Sequence, residues 1–427
     1  MRPSPLAPLL RLLLFLVGAV LAGTPVPARA DFEETERRLK AVGVDDALRA
    51  DVHHAIDRAV AWFAARQISD GSWLDPGTWA GGFGSRTALS TISALALRHA
   101  GTPTARAAAA KALRFLFVRQ KTRDEIVNFV YTAGLASMLL MADGSYPKAH
   151  ETIARGIASA QDARTGWFGY CGRLDGFIVP SVPDVVQLST TQFAALGLWA
   201  AARRGFAAPR DVWVRHTRGL LATQAKNGSW SYMPNPALPG YSTGTFMGLA
   251  NLLLCERHLG DLSADPELAK RLLAAKTLAL GTLRRDAAAV LESLAAGRDG
   301  SWSYEGERWS YYGLYAMEKA CIFAGIERIG DVGWYEQGAR GLLAMQEKDG
   351  GWGIGSYRLN GTRYPARSDV LSTAFALLFL LRASEVYRPD TPSPVDSKDR
   401  PVTPNEKPPA APTPPPQPPP PPRDPPK

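Results

Sequence analysis

The sequence predicts an all-α protein in which six helix-turn-helix units follow one another and close into a ring. Three observations carry that expectation. A glutamine followed six residues later by a tryptophan, with glycine between them, recurs as Gln67 to Trp73, Gln161 to Trp167, Gln224 to Trp230 and Gln346 to Trp352. Each copy follows a stretch with apolar residues at three- and four-residue spacing, the period of one helix face, as in "AVAWFAARQ", "TRGLLATQ" and "ARGLLAMQ". Each is followed by a second stretch rich in small and apolar residues that carries Ser-Thr near its start: "LSTISALALRHAG", "LSTTQFAALGLWAA", "YSTGTFMGLANLLL" and "LSTAFALLFLLRA". The Ser-Thr pairs are read as helix N-caps.

Taken in chain order, the first segment is not part of the fold. Met1 to Ala30 carries Arg2 and Arg11, the apolar run Leu12 to Gly23 and the small-x-small end Ala28-Arg29-Ala30, the pattern of a secretory signal cleaved before Asp31. Its apolar run of twelve residues is short of the about 20 that a membrane-spanning helix needs. The mature chain is therefore expected to be secreted or periplasmic, with no transmembrane segment.

Residues 31–388 are expected to form the ring. Asp45 and Asp46 precede the first repeat and read as a solvated helix start. The first, third, fourth and sixth units carry the full motif. The second keeps Gln120 without the tryptophan, and the fifth keeps Gly300 and Trp302 with Ala296 in place of the glutamine. Units average roughly 55 residues, at or slightly above the usual length of helical-pair repeats. An open stack would need polar terminal repeats; none is evident, which favours closure. In "QEKDGGWG" (Gln346 to Gly353) the helix is expected to end near Lys348. Gly350 or Gly351 would supply a left-handed turn, and Trp352 would fold back beside the Gln346 amide. A device repeated in every unit reads as a clasp, so function has to be sought where the units differ.

Pro389 to Lys427 holds 18 of the 34 prolines, and its charges cancel, so a disordered or polyproline spacer is expected. Net charge is +9, of which Arg2, Arg11 and Arg29 supply three, and the remainder is scattered. Nucleic-acid binding, which needs a basic stripe, is excluded. Cys171, Cys255 and Cys321 lie far apart in no metal-binding pattern and read as buried small apolar residues.

With "RGLLATQAKNGSW" and "RGLLAMQEKDGGW" in view, the repeat resembles the QW motif of squalene-hopene and oxidosqualene cyclases. The resemblance covers Ile56 to Ala383. It implies an (α/α)6 toroid of the terpenoid cyclase and protein prenyltransferase type, a fold shared with the thioester domains of complement-like proteins. What it implies about chemistry fails residue by residue. Cyclases of this kind protonate their substrate with the central acid of D-x-D-D. Here "DVLSTA" keeps Asp369 and Thr373-Ala374, but Leu371 stands at the donor position and Ser372 replaces the last acid. The prenyltransferase zinc site needs an aspartate two residues before a cysteine, where this chain has Gly169, Leu253 and Lys319. The thioester needs Cys-Gly-Glu-Gln, and Cys171-Gly172 is followed by Arg173 and Leu174.

Neither a metal nor another cofactor is therefore expected. A glycan-active α/α barrel would need two facing carboxylates. The acids available for any such role are Asp369, Asp184 and Glu305, each of which also reads as a capping or loop carboxylate. Trp309, Tyr311, Tyr312 and Tyr315 are not repeated between units, which makes them the candidates for a ligand-lining group. The leading expectation is a binding or scaffold protein with an apolar central cavity, its partner an apolar small molecule, a lipid or a protein. The alternatives are a divergent cyclase or transferase using another acid, and a glycan-active hydrolase or lyase.

Overall fold

The structure is a computed structural model that describes residues 30–75, 85–119, 125–127, 129–171, 185–295, 310–354, 357–359, 362–364 and 367–384. Gln120, Asp184, Ala296, Trp302, Glu305 and Trp309 lie outside the described residues, as do 1–29 and the proline-rich tail. Helix α1 (Ala30–Ala41) is followed by outer and inner helices in strict alternation. The outer ones are α2 (Asp46–Arg66), α4 (Pro103–Val118), α6 (Pro147–Ser159), α8 (Arg210–Thr223), α10 (Pro266–Ala295) and α12 (Trp334–Met345). The inner ones are α3 (Arg86–Ala100), α5 (Val130–Asp143), α7 (Leu188–Ala202), α9 (Ser242–Leu259), α11 (Ser310–Phe323) and α13 (Val370–Leu380).

Neighbouring inner helices pack on one another in chain order, and α13 packs on both α11 and α3. On the outside, α12 packs on α2. The six pairs thus form a closed (α/α)6 toroid, with α1 laid against α3. Three short antiparallel ribbons decorate it: β1 (Arg328–Ile329) with β2 (Val332–Gly333), β3 (Gly353–Ile354) with β6 (Arg367–Ser368), and β4 (Tyr357–Leu359) with β5 (Thr362–Tyr364).

Sequence assigns each helix to its ring. In α7 every residue from Leu188 to Ala201 is buried, as are Val370 and Ser372 to Leu380 in α13, so these helices have no face for water. An outer helix such as α6 buries only a stripe, His150, Ile153, Ala154, Gly156 and Ile157. Inner helices approach closely where they carry glycine: a methyl placed on Gly134 would sit 2.3 Å from the Phe193 carbonyl oxygen.

The repeated motif is what joins unit to unit. Gln67 Nε2 donates to Gly71 O (3.0 Å) in its own turn and to Ala108 O (2.8 Å) on α4, the next outer helix. Gln161 does the same with Gly166 O and Val212 O on α8, and Gln224 with Gly228 O and Ala275 O on α10. Gln346 closes the circle: it donates to Gly350 O (2.8 Å) and to Ala55 O (2.9 Å) on α2, the first outer helix. Asp349 adds to that seam, accepting from Trp62 Nε1 (2.9 Å) and Arg66 (3.0 Å).

Gly71, Gly166, Gly228 and Gly350 have φ between +73° and +96° and press on the neighbouring outer helix. A methyl on Gly350 would lie 2.7 Å from Arg58 O, so glycine is required there both for handedness and for room. The tryptophans fold back as expected. Trp73, Trp230 and Trp352 are fully buried and donate to the carbonyls of Phe63, Leu220 and Leu342, ten residues earlier. In the third unit the glycine stands one residue later, directly before Trp167, and there the indole N–H has no partner among the described residues.

Three expectations need correction. The helix before "QEKDGGWG" ends at Met345, with Gln346 as its C-cap, because a glutamine that reaches sideways to α2 has to leave the helical path. The Ser-Thr pairs are not N-caps; three of the helices start before them, at Arg86, Leu188 and Val370, and the fourth starts on the pair itself, at Ser242. In three units hydroxyls of this stretch hold the turn instead: Trp73 N donates to Ser90 Oγ (3.0 Å), Phe168 N to Thr191 Oγ1 (3.1 Å) and Trp352 N to Thr373 Oγ1 (2.9 Å). Cys255 and Cys321 are buried, whereas Cys171 is half-exposed beside the Phe129 strand bridge. Asp45 does begin a helix, its Oδ1 accepting from Leu48 N at 2.7 Å.

Two outcomes follow from this packing. Gln346→Ala removes the bond across the ring seam to Ala55 and the bond to its own turn at Gly350, and is expected to cost about 1–3 kcal/mol. Gln346→Glu, which faces two carbonyls with a carboxylate, is expected to cost more; urea denaturation of both variants checks the order. The second concerns pH. Burial lowers His150, His216 and His258 from the ordinary value near 6.5 to about 4. The unfolded chain therefore takes up these protons first. Stability is complete above pH 6.5 and falls between pH 6.5 and 4, by a few kcal/mol per imidazole as an order of magnitude. A urea midpoint that stays flat across that window would contradict three buried neutral imidazoles.

Candidate functional site

Because each outer helix leads into the next inner one, the described turns and the N-termini of the inner helices share one end of the ring. Just inside it the non-repeated side chains converge. Ser189, Gln192 and Phe193 fall at i, i+3 and i+4 of α7 and so share a face, as do Tyr312 and Tyr315 on α11. Phe193 stacks on Tyr312 (ring centroids 6.0 Å apart) and on Tyr315 (6.3 Å), and Phe375 of α13 packs on both tyrosines at 5.4 and 5.2 Å. The Tyr312 hydroxyl donates to Gln192 Oε1 at 2.7 Å and lies 2.8 Å from Met247 Sδ on α9. Tyr315 Oη lies 3.9 Å from Met138 Sδ on α5, the inner helix opposite α11 in the six-membered ring. At this level side chains therefore span the full diameter of the ring.

A second layer is polar. Tyr131 Oη shares a short hydrogen bond with Ser189 Oγ, which donates to Tyr232 Oη at 2.9 Å. Tyr170 Oη donates to Gln187 Oε1 at 2.6 Å, and its ring lies 5.4 Å from that of Tyr131. Burial first, and then the neighbouring tyrosines, push the phenols of Tyr131 and Tyr312 well above their ordinary value. These hydroxyls are neutral hydrogen-bonding groups and cannot serve as bases near neutrality. Further along α11 the fully buried Glu318 and Lys319 are both drawn by burial towards their neutral forms, each to about 7, with Lys319 Nζ 4.4 Å from the centre of the Tyr315 ring.

Asp369 is the N-cap of α13. Its Oδ1 accepts from Ser372 N and its Oδ2 from Ser372 Oγ, each at 2.8 Å. Ser372, which stands where a cyclase would have its last acid, is thus the partner of the cap. Leu371, at the donor position, packs against the core. The next helix N–H, Val370 N, is held by Asp75 Oδ2 at 2.9 Å, and a third acid at this end, Glu125, accepts from Thr87 Oγ1 at 2.6 Å.

Of the sequence candidates, the structure brings Tyr312 and Tyr315 together at the centre. Tyr311 turns aside to donate to Gly353 O at 3.1 Å. Tyr131, Gln192, Phe193, Phe375 and Asp75 carry no mark in the sequence that separates them from scaffold. Their signal, a polar or aromatic side chain on an inner-helix face or after a turn, acquires meaning only once the ring sets those faces towards one another.

A closed double ring whose inner helices present their N-termini at one end defines an α/α toroid. No protein-family model matches the sequence, and no curated protein sequence does. Among solved structures, the type II terpene cyclase MstE from Scytonema is similar, with a TM-score of 0.50 at 14% identity over 79% of this chain and 98% of that one. An unsaturated glucuronyl hydrolase specific for heparin is similar at TM-score 0.50 and 12% identity, over 79% of this chain and 98% of that one. A family 76 glycoside hydrolase from a bovine Bacteroides thetaiotaomicron strain matches at TM-score 0.50 and 9% identity, over 79% and 78% of the two chains. Identities this low establish the fold alone, and this fold carries both terpenoid and glycan chemistry.

The cap makes a testable distinction. Asp369→Asn keeps an acceptor for Ser372 N and is expected to change stability by a few tenths of a kcal/mol, whereas Asp369→Ala is expected to cost about 1 kcal/mol. Thermal denaturation of the two variants compares them.

Proposed function

We propose that the chain is an exported binding protein of the α/α-toroid class, its ligand an apolar small molecule or lipid held at the N-terminal end of the inner ring. One observation carries this reading: the position that would donate a proton in a cyclase is a leucine, half-buried against the core, and the neighbouring acid caps α13. A catalytic acid has to be held neutral and aimed at substrate; Asp369 instead accepts hydrogen bonds at both oxygens from the helix it starts. What this end does provide is aromatic surface, from Phe193, Phe375, Tyr312 and Tyr315, which suits an apolar body. The proline-rich tail would hold the ring away from a surface, and the N-terminal signal would direct export.

A second reading rests on Asp75 and Asp369, the two carboxylates that accept from backbone N–H groups in the first turn of α13. They are the acids a divergent glycan-active or cyclase-like enzyme would use.

Incubation of the mature chain with squalene and with prenyl diphosphates is expected to yield no new product. Solvent extraction of the purified protein followed by mass spectrometry is expected to release a bound apolar compound. Turnover that disappears in Asp369→Asn would replace the binding role with the enzymatic one.

A further inference from the structure

Resting on that binding role, we propose that the ligand carries a single uncharged oxygen, as an alcohol or a carbonyl compound, on an otherwise apolar body, and that this oxygen lies between α7, α9 and α11 against Gln192 and Thr243. Gln192 is 1% exposed. Its Oε1 accepts from Tyr312, while its Nε2 has no hydrogen-bond partner among the described residues. Turning the amide over exchanges the two atoms and leaves one of them without a partner either way. Thr243 is 3% exposed, and its Oγ1 also has no partner among the described residues. It precedes Met247 by four residues and so lies one turn away on the same face of α9, and Met247 Sδ touches the same Tyr312 hydroxyl that meets Gln192. One buried, unanswered group thus belongs to the partner of Tyr312, and a second lies one helical turn from Met247, which touches the same hydroxyl. Buried polar groups are nearly always answered, by protein, water or ligand.

The chemistry of the answer is set by what surrounds it. Tyr131, Ser189 and Tyr232 are bonded among themselves, and Thr190 Oγ1 on the same turn of α7 is a third group without a partner among the described residues; a sugar, with its several hydroxyls, would still bury more of them than these groups can answer. Gln192, Thr243 and Tyr312 carry no charge, and the ionisable side chain nearest this cluster, Lys319 against the Tyr315 ring, is drawn by burial towards its neutral form. A carboxylate, phosphate or ammonium would lose its hydration here for nothing in return. The remaining walls, Phe193, Phe375, Met138 and Met247, are apolar.

The test uses the mature full-length chain with 1-decanol, n-decane, decanoate and glucose as probes, and thermal denaturation as the readout. The expected result is a rise in Tm with 1-decanol that exceeds the rise with n-decane, and no rise with decanoate or glucose. In Gln192→Leu the apparent affinity for 1-decanol should fall about tenfold while that for n-decane is kept. Thr243→Val, which removes only the hydroxyl, gives the same comparison if the leucine variant does not fold. Equal binding of 1-decanol and n-decane, unaffected by either substitution, would overturn the oxygen site and leave the apolar binding role standing. Binding of glucose or decanoate in preference would overturn the proposed ligand class. Crystals grown with 1-decanol that show only an ordered water between Gln192 and Thr243 would also overturn it. If no probe binds and nothing is extracted from the purified protein, the binding role falls together with it.

Discussion

The structure depends on one side-chain hydrogen-bonding pattern, a glutamine amide that donates at once to its own turn and to the next outer helix. A helix end leaves carbonyls without partners, and a solenoid would leave a whole flank uncovered at each terminus. The clasp answers both needs. The glutamine leaves the helical path as its C-cap, the glycine takes the left-handed conformation that turns the chain back, and the tryptophan ring covers the stub. Each such ring buries roughly 200 Å², an upper bound of about 5 kcal/mol at the usual value per unit area. When the last glutamine, Gln346, finds Ala55 on the first outer helix, no terminal unit remains to be capped.

Closure then dictates the composition of the inner ring. Helices surrounded on every side lose their polar face, and small residues such as Gly134 and Gly197 let the backbones approach. What room remains near the axis is taken by Phe193, Tyr315, Phe375 and Met138. The ring is therefore packed at mid-height, and the proposed ligand would sit on the N-terminal side of this layer, where polar residues begin. An open central cavity, which the sequence suggested, is a poorer description of that level than an aromatic plug with polar groups above it.

Much of the architecture was legible because it is written in repeats. Four copies of one motif locate six units, and Asp45 starts its helix as its position implies. Local chemistry was less legible. Ser90 and Thr373 look like N-caps by residue type, yet serve as partners for tryptophan backbone groups contributed by a turn about twenty residues upstream. The site was least legible of all. Tyr312 can be picked out as a non-repeated aromatic, but Gln192 and Met247 reach it from 120 and 65 residues away, and periodicity within one helix contains no information about which face meets which.

The units that depart from the motif bear on what the ring can tolerate. The third unit keeps Gln161 and its bond to Val212 although its glycine is shifted and its indole bond is absent. The glutamine bridge is thus the invariant part of the described clasps, and the tryptophan N–H the dispensable one. This ordering is physically reasonable. The amide joins two units and fixes their spacing, whereas the indole bond lies within one unit whose hydrophobic burial survives without it; Trp167 remains fully buried. The same logic separates scaffold from site at Asp369. A residue that starts an inner helix of a closed ring is held by the fold itself, and any chemistry there would have to be built without disturbing the cap. In this chain the surrounding residues serve the fold instead, with Ser372 completing the cap and Leu371 packing against the core.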